Sequence, residues 1–131
     1  MSSTKTRVNK ISTVVIPVAD VDGAVEFYTD KLGFNKRVDI PFGDNYRWVE
    51  VGPGDAITTI ALAPPPEGQP AGGSQTGICL DTTDVDDAHA ALKESGADVD
   101  DEVTRHGGPV PPMFWLRDPD GNSLIVVEPS S

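Results

Sequence analysis

The 131-residue sequence predicts an α+β fold of two tandem βαβββ modules whose curved mixed sheets form a cup. Three observations carry that prediction. A run that can open a helix occurs twice, as Asp20-Val21-Asp22 and Asp84-Val85-Asp86, and Ala24 is answered by Ala88; both offsets are 64 residues (20 to 84, 24 to 88). Trp48 is answered by Trp115 and Gly54 by Gly121, both at an offset of 67 (48 to 115, 54 to 121). Between the two stretches, residues 64–74 read Pro-Pro-Pro-Glu-Gly-Gln-Pro-Ala-Gly-Gly-Ser, a composition that suits neither a helix nor a central strand. Such internal order at a fixed period marks a repeated structural unit.

The elements follow in turn. Residues 1–10 carry Lys5, Arg7 and Lys10 among Ser and Thr and are expected to be a disordered tail. One module spans 11–63, the linker 64–74 and the second module 75–129, together a single domain over 11–129. Residues 11–18 are β-branched and read as a strand, with Val14, Ile16 and Val18 on one face and Ile11, Thr13 and Val15 on the other. Asp20 caps a helix whose Val21, Ala24, Val25, Tyr28 and Leu32 share a face, and Gly33 ends it. Extended runs follow near 34–41, 45–51 and 56–63, punctuated by Gly43-Asp44 and Gly52-Pro53-Gly54. The second module repeats the order: a strand over 76–83, a helix capped by Asp84 with Val85, Ala88 and Leu92 inward and Gly96 at its end, then runs near 97–104, 113–118 and 123–129. Each sheet keeps its apolar face for its own helix and is left with one bare face that needs a partner.

Composition narrows the function. With 21 acidic against 10 basic residues the formal net charge is −11, which argues against nucleic acid and against an anionic membrane surface as partners. No run approaches the ~20 apolar residues of a membrane span. The single cysteine, Cys79, cannot form an intrachain disulfide, so a reducing, cytoplasmic compartment is expected.

The order Val18-Ala19-Asp20, Ala24-Val25-Glu26-Phe27-Tyr28, Leu32-Gly33-Phe34, Asp84-Val85-Asp86-Asp87-Ala88 and the turn Asp118-Pro119-Asp120-Gly121-Asn122 resembles the vicinal oxygen chelate superfamily. That superfamily includes glyoxalase I, bleomycin resistance proteins and extradiol dioxygenases, and the resemblance covers about residues 11–129. It implies the cup fold and a homodimer, sometimes with modules exchanged between chains. Metal-dependent members hold a divalent ion with His, Glu or Gln donors from four strands. Carried over residue by residue, those positions fall on Thr13, Thr58, Gly77 and Ile125. None is an imidazole or a carboxylate, the donors such a site needs, and a shift of one residue restores none. The expectation is therefore no metal and no other cofactor.

Other side chains could still act. Trp48 and Trp115, at matching strand positions, either sandwich a flat or cationic guest or are core aromatics. Glu50 and Asp81 are carboxylates on cup-facing positions, suited to proton transfer, to a cationic ligand or simply to solvation. Arg117 suits a ligand carboxylate or one of the many aspartates. Cys79 alternates with Gly77 and Asp81 toward the cup, and without a base beside it reads as a buried, inert thiol. His106, in His106-Gly107-Gly108-Pro109, is either a proton-transfer or gripping residue at the rim or a solvated loop histidine; His89 is a helical residue at or near the surface. The ligand-binding candidates are thus Thr13, Trp48, Glu50, Thr58, Cys79, His106, Trp115, Arg117 and Ile125. The function expected is metal-independent binding of a small organic molecule, with a lyase, isomerase or dioxygenase of the same superfamily as the alternative.

Overall fold

The computed structural model describes residues 7–41, 43 and 46–129. The expected tail over 1–10 lies largely outside the described residues, as does Asp44 of the Gly43-Asp44 turn. The first module contains β1 (Thr13–Pro17), α1 (Val21–Glu26), a π-helical turn (Phe27–Lys31), β2 (Asn35–Pro41), β3 (Arg47–Gly52) and β4 (Thr59–Ala63). The second contains β5 (Gln75–Asp81), α2 (Val85–Glu94), β6 (Asp98–Val99), β7 (Met113–Arg117) and β8 (Ser123–Val127). The two separate four-stranded sheets have the same order, β1-β4-β3-β2 and β5-β8-β7-β6, with β1–β4 and β5–β8 parallel and the other pairs antiparallel. The βαβββ repeat is therefore present in both halves.

Local chemistry accounts for the elements. The Asp20 and Asp84 side chains accept from the backbone N–H groups of Gly23 and Asp87, at 3.2 and 3.0 Å, capping α1 and α2 as expected. Regular helix does not run on to Leu32: the chain widens at Phe27, and Leu32 N–H donates to the Phe27 carbonyl at 3.3 Å. Adjacent Phe27 and Tyr28 of this turn are both buried in the core. The run near 97–104 is shorter than expected, reduced to Asp98–Val99 and an isolated bridge from Thr104 to Met113. Gly77 adopts φ +72°, where the pairing of β5 with β8 shifts between Gln75 and Cys79; a residue with a Cβ would be strained there.

The apolar faces of both sheets contribute to one core. Ile16, Val49, Val51, Ile60 and Leu62 come from the first, Phe114, Leu116, Leu124 and Val126 from the second, with Ala24, Phe27, Tyr28, Phe34, Val85 and Leu92 packed among them. Residues 64–74 hold neither helix nor strand, and the end of the segment is docked. Gly73 N–H donates to the Asp120 carbonyl at 3.0 Å and Ser74 N–H to Asn122 Oδ1 at 3.1 Å. The turn at 118–122 also reaches the first module: Asn122 Nδ2 donates to the Pro17 carbonyl at 3.2 Å, Ala19 N–H to Asp120 Oδ1 at 3.1 Å, and the Tyr28 hydroxyl to Asp118 Oδ2 at 3.0 Å. This one turn ties both modules and the linker together.

Candidate functional site on the open sheet faces

Alternation along the strands sends every second residue away from the core. On the first sheet the outward row pairs Val38, Glu50, Ala61 and Val15 across β2, β3, β4 and β1. Next to it lie Ile40 paired with Trp48, and Thr13 paired with Thr59. On the second sheet the matching row is Trp115, Ile125 and Cys79. These faces are exposed at Val15 (51 %), Ile40 (53 %) and Trp115 (38 %), while Ala61, Thr59 and Ile125 on the central strands are buried. Among the described residues no hydrogen bond or ring contact joins one face to the other.

On the first face four of the polar groups form a chain. Trp48 Nε1–H donates to Glu50 Oε2 at 2.8 Å, and Thr59 Oγ1–H to Glu50 Oε1 at 2.7 Å. Thr13 Oγ1 lies 3.4 Å from Thr59 Oγ1. The hydrogen bonds from Trp48 and then Thr59 hold the Glu50 carboxyl below its usual range; partial burial opposes them, and attraction from Arg37 adds to them. Glu50 is thus an anion at neutral pH. No Lys or Arg among the described residues forms an ion pair with it.

The second face is different. Trp115 exposes its ring while its backbone N–H is held by Asp100 Oδ2 at 3.1 Å. Ile125 is nearly buried between Trp115 and Cys79. Cys79 is exposed, contrary to the expectation of a buried thiol: the parity was right, but this face has no cover. Arg117 is ion-paired to Asp98 at 3.0 Å and Asp100 at 3.2 Å, and the Asp98 hydrogen bond raises its already high pKa, so its guanidinium is not free for a ligand carboxylate. Asp81 is exposed at the end of β5. His106 stands exposed in the loop before Met113 and bonds to no other candidate. His89 is half-buried in α2, its Nε2 2.6 Å from the Asp100 carbonyl and its ring edge-on to Phe114.

Register corrects two expectations. Val15 with Ala61, and Cys79 with Ile125, are equivalent pairs of the two modules, so Trp115 answers Glu50 and Trp48 answers Met113. The two tryptophans share the type of face but not the same position. Likewise the first-module counterpart of Ile125 is Ala61, not Thr58. Thr58 lies one residue before β4, exposed, with its Oγ1–H donated to the Ile11 carbonyl at 2.5 Å. Thr59, one residue on, is the threonine that joins the network, and its pairing with Thr13 across the sheet is the signal that locates it. The chelating positions of the resembling family thus carry Thr13, Ala61, Gly77 and Ile125, a set with no imidazole or carboxylate, and it does not fit a divalent ion. Among the described residues no group of three or more His, Cys, Asp or Glu could hold a metal.

Comparison with known proteins agrees with this geometry. The model of the Glyoxalase/Bleomycin resistance protein/Dioxygenase superfamily matches residues 10–126. The uncharacterized protein YurT of Bacillus subtilis (strain 168) is 34 % identical over 128 residues, covering 91 % of this chain and 98 % of YurT. TnmS3, an antibiotic binding protein from Streptomyces sp. CB03234, superposes with a TM-score of 0.83 at 32 % identity, covering 96 % of this chain and 100 % of TnmS3. A superfamily member from Sphaerobacter thermophilus DSM 20745 gives a TM-score of 0.85 at 33 % identity, over 94 % and 99 % of the two chains.

Proposed function

This chain belongs to the Glyoxalase/Bleomycin resistance protein/Dioxygenase superfamily, and on that premise we propose that it binds a small organic molecule, without a metal ion, against the open faces of its two sheets. One observation carries the reading. Where chelating relatives would present metal donors, this chain has Thr13, Ala61, Gly77 and Ile125, while the same faces offer indole, carboxylate and apolar groups to a guest. The description of TnmS3 as an antibiotic binding protein supports the same reading.

A guest lying on one face leaves its other side wet. A second copy of the chain, bringing its own open face, would complete an enclosed cup, so the functional unit is a homodimer. The exposed Val15, Ile40 and Trp115 supply the apolar area that such a partner would cover. The lone Cys79 and the absence, among the described residues, of a helix able to cross a membrane suit a cytoplasmic protein.

The test is a titration of the purified chain with a library of aromatic compounds, followed by tryptophan fluorescence and calorimetry, beside sedimentation at micromolar concentration. Binding that quenches tryptophan and is weakened in Trp48→Phe or Trp115→Phe is expected, with a sedimenting species of twice the chain mass. Binding that needs added Zn²⁺, Ni²⁺, Mn²⁺ or Fe²⁺ would overturn the metal-free reading, and a single 13.9 kDa species the dimer.

A further inference from the structure

The charge left on the first face is unbalanced. The strand carboxylates of Asp39 and Asp98 face cations, Asp39 at Lys36 and Arg47, Asp98 at Arg117. Glu50 faces none among the described residues, and its strand partners are apolar, Val38 on one side and Ala61 on the other. Arg37 is the cation whose field it feels, yet Arg37 Nη1 is engaged by the carbonyls of Gly54 and Ala56 at 3.3 and 3.1 Å. Each Glu50 oxygen takes one protein hydrogen bond, which leaves further acceptor positions on both. A partly desolvated anion in apolar surroundings attracts a counter-charge more strongly than a solvated one.

We propose that the open face of the first sheet selects organic cations, an ammonium or amidinium nitrogen seated on Glu50 and the apolar body lying along Trp48, Ile40 and Val15. This rests on the binding function proposed above and adds the ligand's chemical class. The indole held beside the carboxylate contributes through its ring face, since a cation there is attracted by both groups. The second face has no such anchor at the matching positions: Trp115 replaces Glu50, Met113 replaces Trp48, and Arg117 is neutralised by its own aspartates. Its outward carboxylate, Asp81, is exposed to water at the end of β5 and has no indole bonded to it. Selectivity for charge therefore resides on the first sheet, and the second contributes the indole of Trp115.

Matched ring compounds test this by calorimetry: naphthylmethylamine, protonated at neutral pH, naphthylmethanol, neutral, and naphthylacetate, anionic, with the anthracenyl analogues as a larger set. The amine is expected to bind about tenfold or more tightly than the alcohol, with the anion weakest and the preference shrinking as salt is added. Glu50→Gln removes the charge but keeps both hydrogen bonds, because the amide oxygen can accept from Trp48 while its nitrogen donates to Thr59 Oγ1. In that variant the amine should fall to the level of the alcohol, and the alcohol should stay within about twofold of its wild-type affinity. Equal binding of amine and alcohol to the wild type would overturn cation selection while leaving the binding function intact. Failure of every compound to bind the wild type would overturn both. Should Glu50→Gln not fold, the wild-type ratio and its salt dependence decide alone.

Discussion

Replacing Asp118 by alanine tests whether the 118–122 turn holds the two modules together. The Asp118 side chain is buried and accepts four hydrogen bonds, two on each oxygen: Asp120 N–H at 3.0 Å and Asn122 N–H at 2.9 Å on Oδ1, the Tyr28 hydroxyl at 3.0 Å and Asn122 Nδ2 at 3.1 Å on Oδ2. Tyr28 is 0 % exposed, so its hydroxyl has no water to turn to when Asp118 is gone. One stranded buried donor costs about 1–3 kcal/mol, and the backbone N–H of buried Asn122 adds to it, so Asp118→Ala should cost about 3–4 kcal/mol. For a chain of this length that lowers Tm by about 10–15 °C. Tyr28→Phe removes only one of the four donors and should cost about 1–1.5 kcal/mol. The double variant should cost less than the two singles combined, with a coupling of about 1 kcal/mol, because both delete the same bond. Urea unfolding of the four proteins measures this. An Asp118→Ala loss below about 1 kcal/mol, or strict additivity, would refute the view that this turn carries the junction.

Two further outcomes follow from the same core. Burial, and then the neighbouring Asp118, push the Tyr28 phenol well above its usual value of 10.0, so it stays protonated in the folded chain while it ionises in the unfolded one. Its contribution is complete below pH 10 and is lost as pH rises above that, at up to about 1.4 kcal/mol per pH unit; Tyr28→Phe should lack this alkaline slope in unfolding measurements from pH 8 to about 11. Phe27→Ala, which empties a core position within the π-helical turn, should cost about 3–5 kcal/mol, and a loss near zero would show that Phe27 does not help to hold the core.

The elements were legible in the residues because each has a local cause. Asp20 and Asp84 announce helices by capping them, and alternation in 11–18 separates Ile16 and Val18, which are buried, from Val15, which is not. The widened turn at Phe27 was not legible. A helical period assigns residues to a face but does not show where the hydrogen bonding changes to a wider turn, and nothing local to Phe27–Lys31 announces that change. Register was also beyond local reading. Counting from Gly54 matched Trp48 to Trp115, whereas the register matches Glu50, two residues on; and from Glu50 to its partner Ala61 is one residue farther than from Trp115 to Ile125, so the count landed on Thr58, three residues short of Ala61. Pairing between strands distant in sequence sets these positions, and a slip of one residue changes the face. Cys79 failed for a different reason: parity assigns a face, whereas burial depends on what covers it.

The corrected register changes what the duplication means. Two modules with the same strand order would form a cup with chemically equivalent walls if their outward residues also matched. They do not. At equivalent positions the first sheet has Val15, Ala61, Glu50 and Trp48, and the second has Cys79, Ile125, Trp115 and Met113. The inward residues remain aliphatic or aromatic in both, because the core they share requires it. The outward ones have no such constraint from folding, so their chemistry is free to follow a ligand. The residue beside Glu50 is the small, fully buried Ala61, whereas the larger Ile125 lies beside Trp115. One wall therefore has an anion bonded to an indole, and the other has an exposed indole at the matching place. Such a pair distinguishes the two ends of a guest, so a symmetrical hydrophobic molecule would use only part of the site and a ring carrying a single cationic group would use both faces of it.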